Sequence, residues 1–206
     1  MGKDSGRIVM GFTRKTKYYT GTVYEFNLPT GWTCPFADTC LVKVNRETGK
    51  MKNSSDAYRC YAASAERFPG VRNSRWNNFE QAQRGILPAL PKGASSVRIH
   101  MSGDFFSQAY FDLWLDYCRR RPAVEFWAYT KSLQYWVERF DEIPNNLILT
   151  ASYGGRQDHL IERHALKSAT VVTRKEAEGD GRPIDTNDDL ARTPNVSFLL
   201  LDNNER

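Results

Sequence analysis

The chain has 206 residues, 40% hydrophobic and 26% charged, with a net charge of +5. That composition suits a globular domain and excludes a disordered or fibrous chain. The longest apolar runs, such as LILTA at 147–151, are too short to cross a bilayer, and MGKDSGRIVM at the N-terminus lacks the apolar centre of a signal peptide. The expectation is therefore a cytoplasmic protein with no membrane partner, whose four cysteines serve as ligands, nucleophiles or core residues before disulfides.

The chain changes character near residue 92, so a single domain is expected with two parts: an N-terminal segment over 1–92 that carries the candidate metal ligands, and β/α units over 93–206. In the first part, residues 7–12 and 22–28 read as strands of a hairpin, 56–68 as a helix containing Cys60, and 76–90 as an amphipathic helix. In the second part, 97–101 is a β-rich run. Ser107 is placed to cap a helix whose Phe111, Trp114, Leu115 and Cys118 form one apolar stripe. Residues 124–129 are the next strand, followed by a helix capped by Ser132 with Leu133, Trp136, Val137 and Phe140 on one face. A third strand spans 147–151, Asp158 caps a short helix to Leu166, a fourth strand spans 169–173 and a last one 196–201.

Strands alternating with helices through short connections predict a parallel sheet. The strand runs are continuously apolar, as when both faces are covered. The expected fold class is α/β, a partial parallel barrel or open sheet wrapped by the N-terminal segment, because a complete eightfold barrel needs about 250 residues.

Ligand sites in such folds lie at the carboxyl ends of strands. His100, Ser102, Gly103 and Asp104 follow the first strand of the β/α part, Thr130 and Lys131 the second, Ser152, Tyr153 and Gly154 the third, and Arg174 and Lys175 the fourth. This rim suits a small anionic or zwitterionic ligand. Arg119-Arg120-Arg121 is the one cationic run. It falls at a helix end, where it complements the helix dipole, with a nucleic-acid patch as the alternative.

Cys34 and Cys40 flank a proline-bearing loop, CPFADTC, and Cys60 lies in YRCYA. Three thiols in one irregular region suit an iron–sulfur cluster or zinc, with small buried hydrophobes as the plainer alternative. Cys118 sits on a helical core stripe and is read as packing. Three cysteines on a four-iron cluster leave one iron open to His100, Asp104, water or a substrate.

Four segments together, NLPTGWTCPFADTC at 27–40, RCYAA at 59–63, RIHMSGDFFS at 98–107 and FWAYTK at 126–131, resemble the phage and plasmid family called gene product eighty-eight. The resemblance runs from about residue 20 to 175 and implies a phage or mobile-element protein acting in the host cytoplasm. Many members carry further cysteines toward the C-terminus, and this chain has none after Cys118. A looser resemblance to radical S-adenosylmethionine proteins rests on Ser102-Gly103-Asp104, a small, small, acidic turn after a strand. It implies a cluster at the mouth of a partial barrel with adenosylmethionine as cofactor, although the cysteine spacing departs from that family's.

The reading on function is an iron–sulfur protein with Cys34, Cys40 and Cys60 as ligands and His100, Ser102, Gly103, Asp104 and Lys131 around the cofactor. It would do redox or radical chemistry on a ligand at the strand ends. The alternative is a zinc-stabilised, non-catalytic binding module that engages nucleic acid.

Overall fold

The computed structural model of the protein describes residues 11–53 and 60–202. Ten strands and five α-helices appear in chain order: β1 (Thr13–Lys15), β2 (Val23–Phe26), β3 (Val42–Val44), β4 (Met51–Asn53), α1 (Pro69–Gln83), β5 (Ser96–Ile99), α2 (Gln108–Arg119), β6 (Glu125–Thr130), α3 (Leu133–Val137), β7 (Leu147–Ser152), α4 (His159–Arg163), β8 (Ser168–Val172), α5 (Arg174–Asp180), β9 (Ile184–Asp185) and β10 (Phe198–Leu201). Eight of the strands form one curled half-barrel in the order β1-β2-β5-β6-β7-β8-β10-β9, and β3 and β4 form a separate two-stranded ribbon. All pairings in the large sheet are parallel except the β1–β2 edge. The expected α/β class and partial parallel barrel are what the chain adopts.

Alternation along the strands sorts two cores. On β6, Phe126 and Ala128 point outward and pack with Val97, Ile99, Leu147 and Leu149 beneath the helices, where Phe111, Trp114, Leu115 and Cys118 of α2 complete the layer. Ser107 caps α2 as expected, its hydroxyl accepting from the Tyr110 amide at 3.2 Å. Trp127 and Tyr129 of β6 point the other way, into the barrel, with Val23, Ile148, Ala169 and Phe198. The barrel is floored by the loop before β10: Asp188 accepts from Trp127 Nε1 at 3.2 Å and from the Tyr129 hydroxyl at 3.0 Å, and Arg192 pairs with Glu125 at 2.6 Å.

Several expected elements differ. Of the strand expected over 7–12, residues 7–10 lie outside the described residues, and Gly11 and Phe12 are irregular and lead into β1 at 13–15. The helix expected over 56–68 is a 3₁₀ helix over Tyr61–Arg67, and the part of the expectation over 56–59 lies outside the described residues. The amphipathic helix begins earlier, at Pro69, a favourable first-turn residue, and ends at Gln83 because Gly85 turns left-handed at φ 74°. The helix after β6 is one turn shorter than its apolar pattern: Ser132 spends its hydroxyl on the Phe105 carbonyl instead of capping, and Phe140 is half exposed. Asp158 likewise turns its carboxylate back to the Gly154 and Gly155 amides rather than capping α4, which stops at Arg163.

Candidate functional site

The carboxyl ends of β5, β6 and β7 are laced together. Asp104 accepts from the Thr130 hydroxyl at 2.6 Å, the Lys131 amide at 2.8 Å and its neighbour Phe105's amide at 2.7 Å. Lys131 then reaches the next strand, its ammonium donating to the carbonyls of Ser152 and Tyr153 and to the Ser152 hydroxyl at 2.6–2.9 Å. Burial pushes the Asp104 carboxyl up to about 6, against the three donated hydrogen bonds that favour its charged form.

The cysteine segments are docked onto this rim. The chain from Leu28 to Cys34 crosses Gly103, which holds φ 86°; a Cβ there would stand 2.6 Å from Leu28 Cβ and from Thr33 Oγ1, so only glycine allows the approach. Asn27 accepts from the amides of Met101 and Ser102, and Thr33 accepts from that of Asp104. The Cys34–Cys40 loop is tied at its far side to the Gly154-Gly155 turn by an Ala37–Gly155 bridge and by Thr39 on the Gly154 carbonyl. The Cys60 segment is fastened by a buried network: Glu66 accepts from the amide and hydroxyl of Thr30 at 2.7 Å and pairs with Arg75 at 2.8 Å, and Arg75 also holds the Ala62 carbonyl.

These attachments bring all three loop cysteines into one cleft of about 750 Å³, together with His100, Ser102, Gly103, Asp104 and Lys131. The thiols feel one another: Cys34 lies within electrostatic reach of Cys60, Cys40 and Asp104, and Cys60 within reach of Cys40. Burial raises the pKa of each. Nearby backbone amides, that of Gly31 at Cys34 and those of Ala62 and Ala63 at Cys60, offset part of that rise. Partly buried thiols with raised pKa are weak nucleophiles as free groups, and a bound cation would reverse that by making the thiolate the favoured form. Among the described residues, no three His, Cys, Asp or Glu side chains stand in position to share a single metal ion.

The other predicted residues divide. His100 lines the cleft with backbone φ 65°, but its imidazole lies between sheet and α2, Nε2 at 2.8 Å from the Tyr110 hydroxyl and the ring against Phe105 and Trp114. Burial alone lowers its pKa to about 3, so it is neutral, and its Nδ1 has no partner. Ser102 spends its hydroxyl on the Leu28 carbonyl and on Thr30. Arg174 and Lys175 begin α5, and the cleft there is lined by Thr173 and Glu176 instead. Cys118 is fully buried in the helix layer, as expected of a packing residue.

A second pole of the cleft was not foreseen. Arg98, inside an apolar strand, pairs with Asp188 at 2.8 Å, donates to the hydroxyls of Tyr19 and Tyr61 at 3.1 and 3.2 Å, and stacks over Tyr129. Its Nε is buried without a partner. Glu25, equally out of place in a buried strand, accepts from Tyr19 at 2.6 Å. A charge interrupting an apolar strand run was the signal available in the sequence for both.

A family model described as Gene product 88 matches residues 6–205. The Gene 88 protein of Mycobacterium phage L5 is 48% identical over 40 residues, which are 19% of this chain and 17% of that protein. The match thus spans less than a fifth of the relative's length. No solved structure matches. No described helix is long and apolar enough to cross a membrane.

Proposed function

The chain belongs to the gene product 88 family, and within that family we propose that it binds one iron–sulfur cluster through Cys34, Cys40 and Cys60 and exchanges an electron with a ligand held in the cleft. The observation that carries this reading is the convergence of three partly buried loop cysteines, distant in sequence, on one cleft at the strand carboxyl ends. A single zinc ion needs its ligands converged on one point within bonding distance. A cluster instead spreads its thiolates over several irons.

When bound, the cluster supplies the electron. The protein's own groups position the partner. Lys131 and Asp104 hold the mouth rigid, and the Arg98–Asp188 pair with Tyr19, Tyr61 and Tyr129 offers a polar wall to a small anionic or zwitterionic ligand. The adenosylmethionine analogy rests on the Ser102-Gly103-Asp104 turn alone, and the Asp104 carboxylate is already occupied by three donors from its own chain. The setting is a phage protein at work in the host cytoplasm. The second reading, a zinc-stabilised binding module, shares the ligands Cys34, Cys40 and Cys60 and differs in the metal.

The test is purification without oxygen. The protein should be brown, and Cys34→Ser, Cys40→Ser and Cys60→Ser should each lose the colour and the iron, while Cys118→Ala keeps both. Equal iron loss from Cys118→Ala, or retention by the three loop variants, would overturn the ligand assignment.

A further inference from the structure

We propose that the outward face of the β3–β4 ribbon, with Trp32 beside it, is a docking surface for single-stranded DNA. The ribbon's inner face is apolar, with Val42 and Val44 buried against Ala63. Its outer face is cationic. Lys43 and Lys52 are directly opposed in register, and both are exposed. Like charges placed opposite one another across a strand pair destabilise it, so this arrangement is poor for folding and good for an anionic partner. Residues 41–53 carry Lys43, Arg46, Lys50 and Lys52 against the single carboxylate of Glu47, a net +3 within a chain of +5. Arg46 is committed to Glu80 at 2.7 Å, but among the described residues no carboxylate pairs with Lys43, Lys50 or Lys52.

An aromatic platform stands beside these cations. Trp32 is 47% exposed and Met51 39% exposed. The Trp32 ring is fixed rather than loose: its Nε1 donates to the Val44 carbonyl at 2.8 Å, and its centroid lies 5.8 Å from that of Trp76. Gly31, at φ 73°, lets the chain lie against the Val42 carbonyl, where a Cβ would collide, and so seats the indole next to the ribbon. The Lys43 ammonium lies over the Trp32 ring, 4.9 Å from its centroid, and a stacking base would take its place there while the ammonium moves to a phosphate. A fixed, half-exposed indole flanked by lysines that pair with no carboxylate among the described residues offers the two things an unstacked strand requires, a surface for a base and cations for its phosphates. A duplex presents no free base face to such a ring, and stacking and phosphate contacts are complete in DNA without a 2′-hydroxyl. The proposal does not depend on the cluster proposed for the cleft.

The test is fluorescence anisotropy with a labelled short oligothymidylate at low and rising salt, using the full chain. The wild type should bind, and the Lys43→Glu/Lys52→Glu double variant should bind about ten-fold weaker or worse. The double variant should also lower the slope of log affinity against log salt by about 1.4, about 0.7 for each lost phosphate contact. Trp32→Ala should cost about five-fold to a hundred-fold if one base stacks there. Trp32→Phe keeps an aromatic face and should retain most of the affinity, which separates lost stacking from lost folding. No binding by the wild type, or an unchanged affinity in the lysine double variant, would overturn the proposal. So would polyglutamate competing as well as the oligonucleotide, which marks an acidic protein as the partner, or tighter binding of duplex or of oligouridylate.

Discussion

His100 should make the protein acid-sensitive in a defined window. The imidazole is buried between sheet and α2, is hydrogen-bonded through Nε2 to Tyr110 and has no partner at Nδ1. Its folded-state pKa is about 3 against an ordinary 6.5. The unfolded chain therefore takes up the proton first, and the neutral histidine contributes stability that is present above pH 6.5 and lost as the pH falls toward 3. One such group removes about 2 kcal/mol between neutrality and pH 5, and on the order of 4–5 kcal/mol by pH 3. Asp104 works in the opposite sense. With its folded pKa raised to about 6, its protonation favours the native state as pH falls from 6 to 3.8. The comparison must therefore be with a variant that keeps Asp104. His100→Asn suits it, because asparagine tolerates the left-handed backbone at φ 65°. Urea unfolding followed by tryptophan fluorescence, in chelator, gives the stability of both proteins between pH 7.5 and 5. The variant starts less stable through lost ring packing, and the gap should narrow by about 2 kcal/mol across that range. A gap that stays constant with pH would refute the claim that the histidine is held neutral by burial.

The Glu66–Arg75 pair has almost no solvent contact, so Glu66→Gln or Arg75→Met should leave the other charge uncompensated and cost about 3–5 kcal/mol in urea unfolding. Hydrogen exchange in these variants should speed first in the segment that carries Cys60. Ser107→Ala removes the cap of α2 and should cost about 1 kcal/mol by the same measurement. Trp114→Ala opens a cavity in the outer core and should cost about 3–5 kcal/mol. Removing the proposed cluster should accelerate exchange across residues 30–53 and 60–65 and leave the strands of the half-barrel protected; uniform acceleration would contradict a cluster that organises only the wrapping segment.

The β/α half of the fold was legible because its signals are local. Continuous apolar runs mark β6, β7 and β8, and the Phe111, Trp114, Leu115, Cys118 stripe marks α2. Where the reading failed, a tertiary contact took a residue away from its local role. Ser132 and Asp158 look like caps, but their side chains serve Phe105 and the Gly154-Gly155 turn. The β3–β4 ribbon went unread because three-residue strands carry almost no periodicity. The cleft's first pole could be listed from strand ends, since position alone puts Ser102 to Asp104 and Lys131 there. That Asp104 and Lys131 lace neighbouring strands could not be, because it depends on pairings between residues 21 to 27 apart. Arg98 and Glu25 were visible as charges in apolar strands, but their partners Tyr19 and Asp188 lie on loops that only the barrel's curvature brings near.

The central claim, a cluster held by Cys34, Cys40 and Cys60, is tested most directly by metal and acid-labile sulfide analysis of protein purified without oxygen. The account predicts iron and sulfide together in equal amounts, both absent from the triple loop-cysteine variant. Stoichiometric zinc without sulfide, or no metal lost from the triple variant, would contradict it.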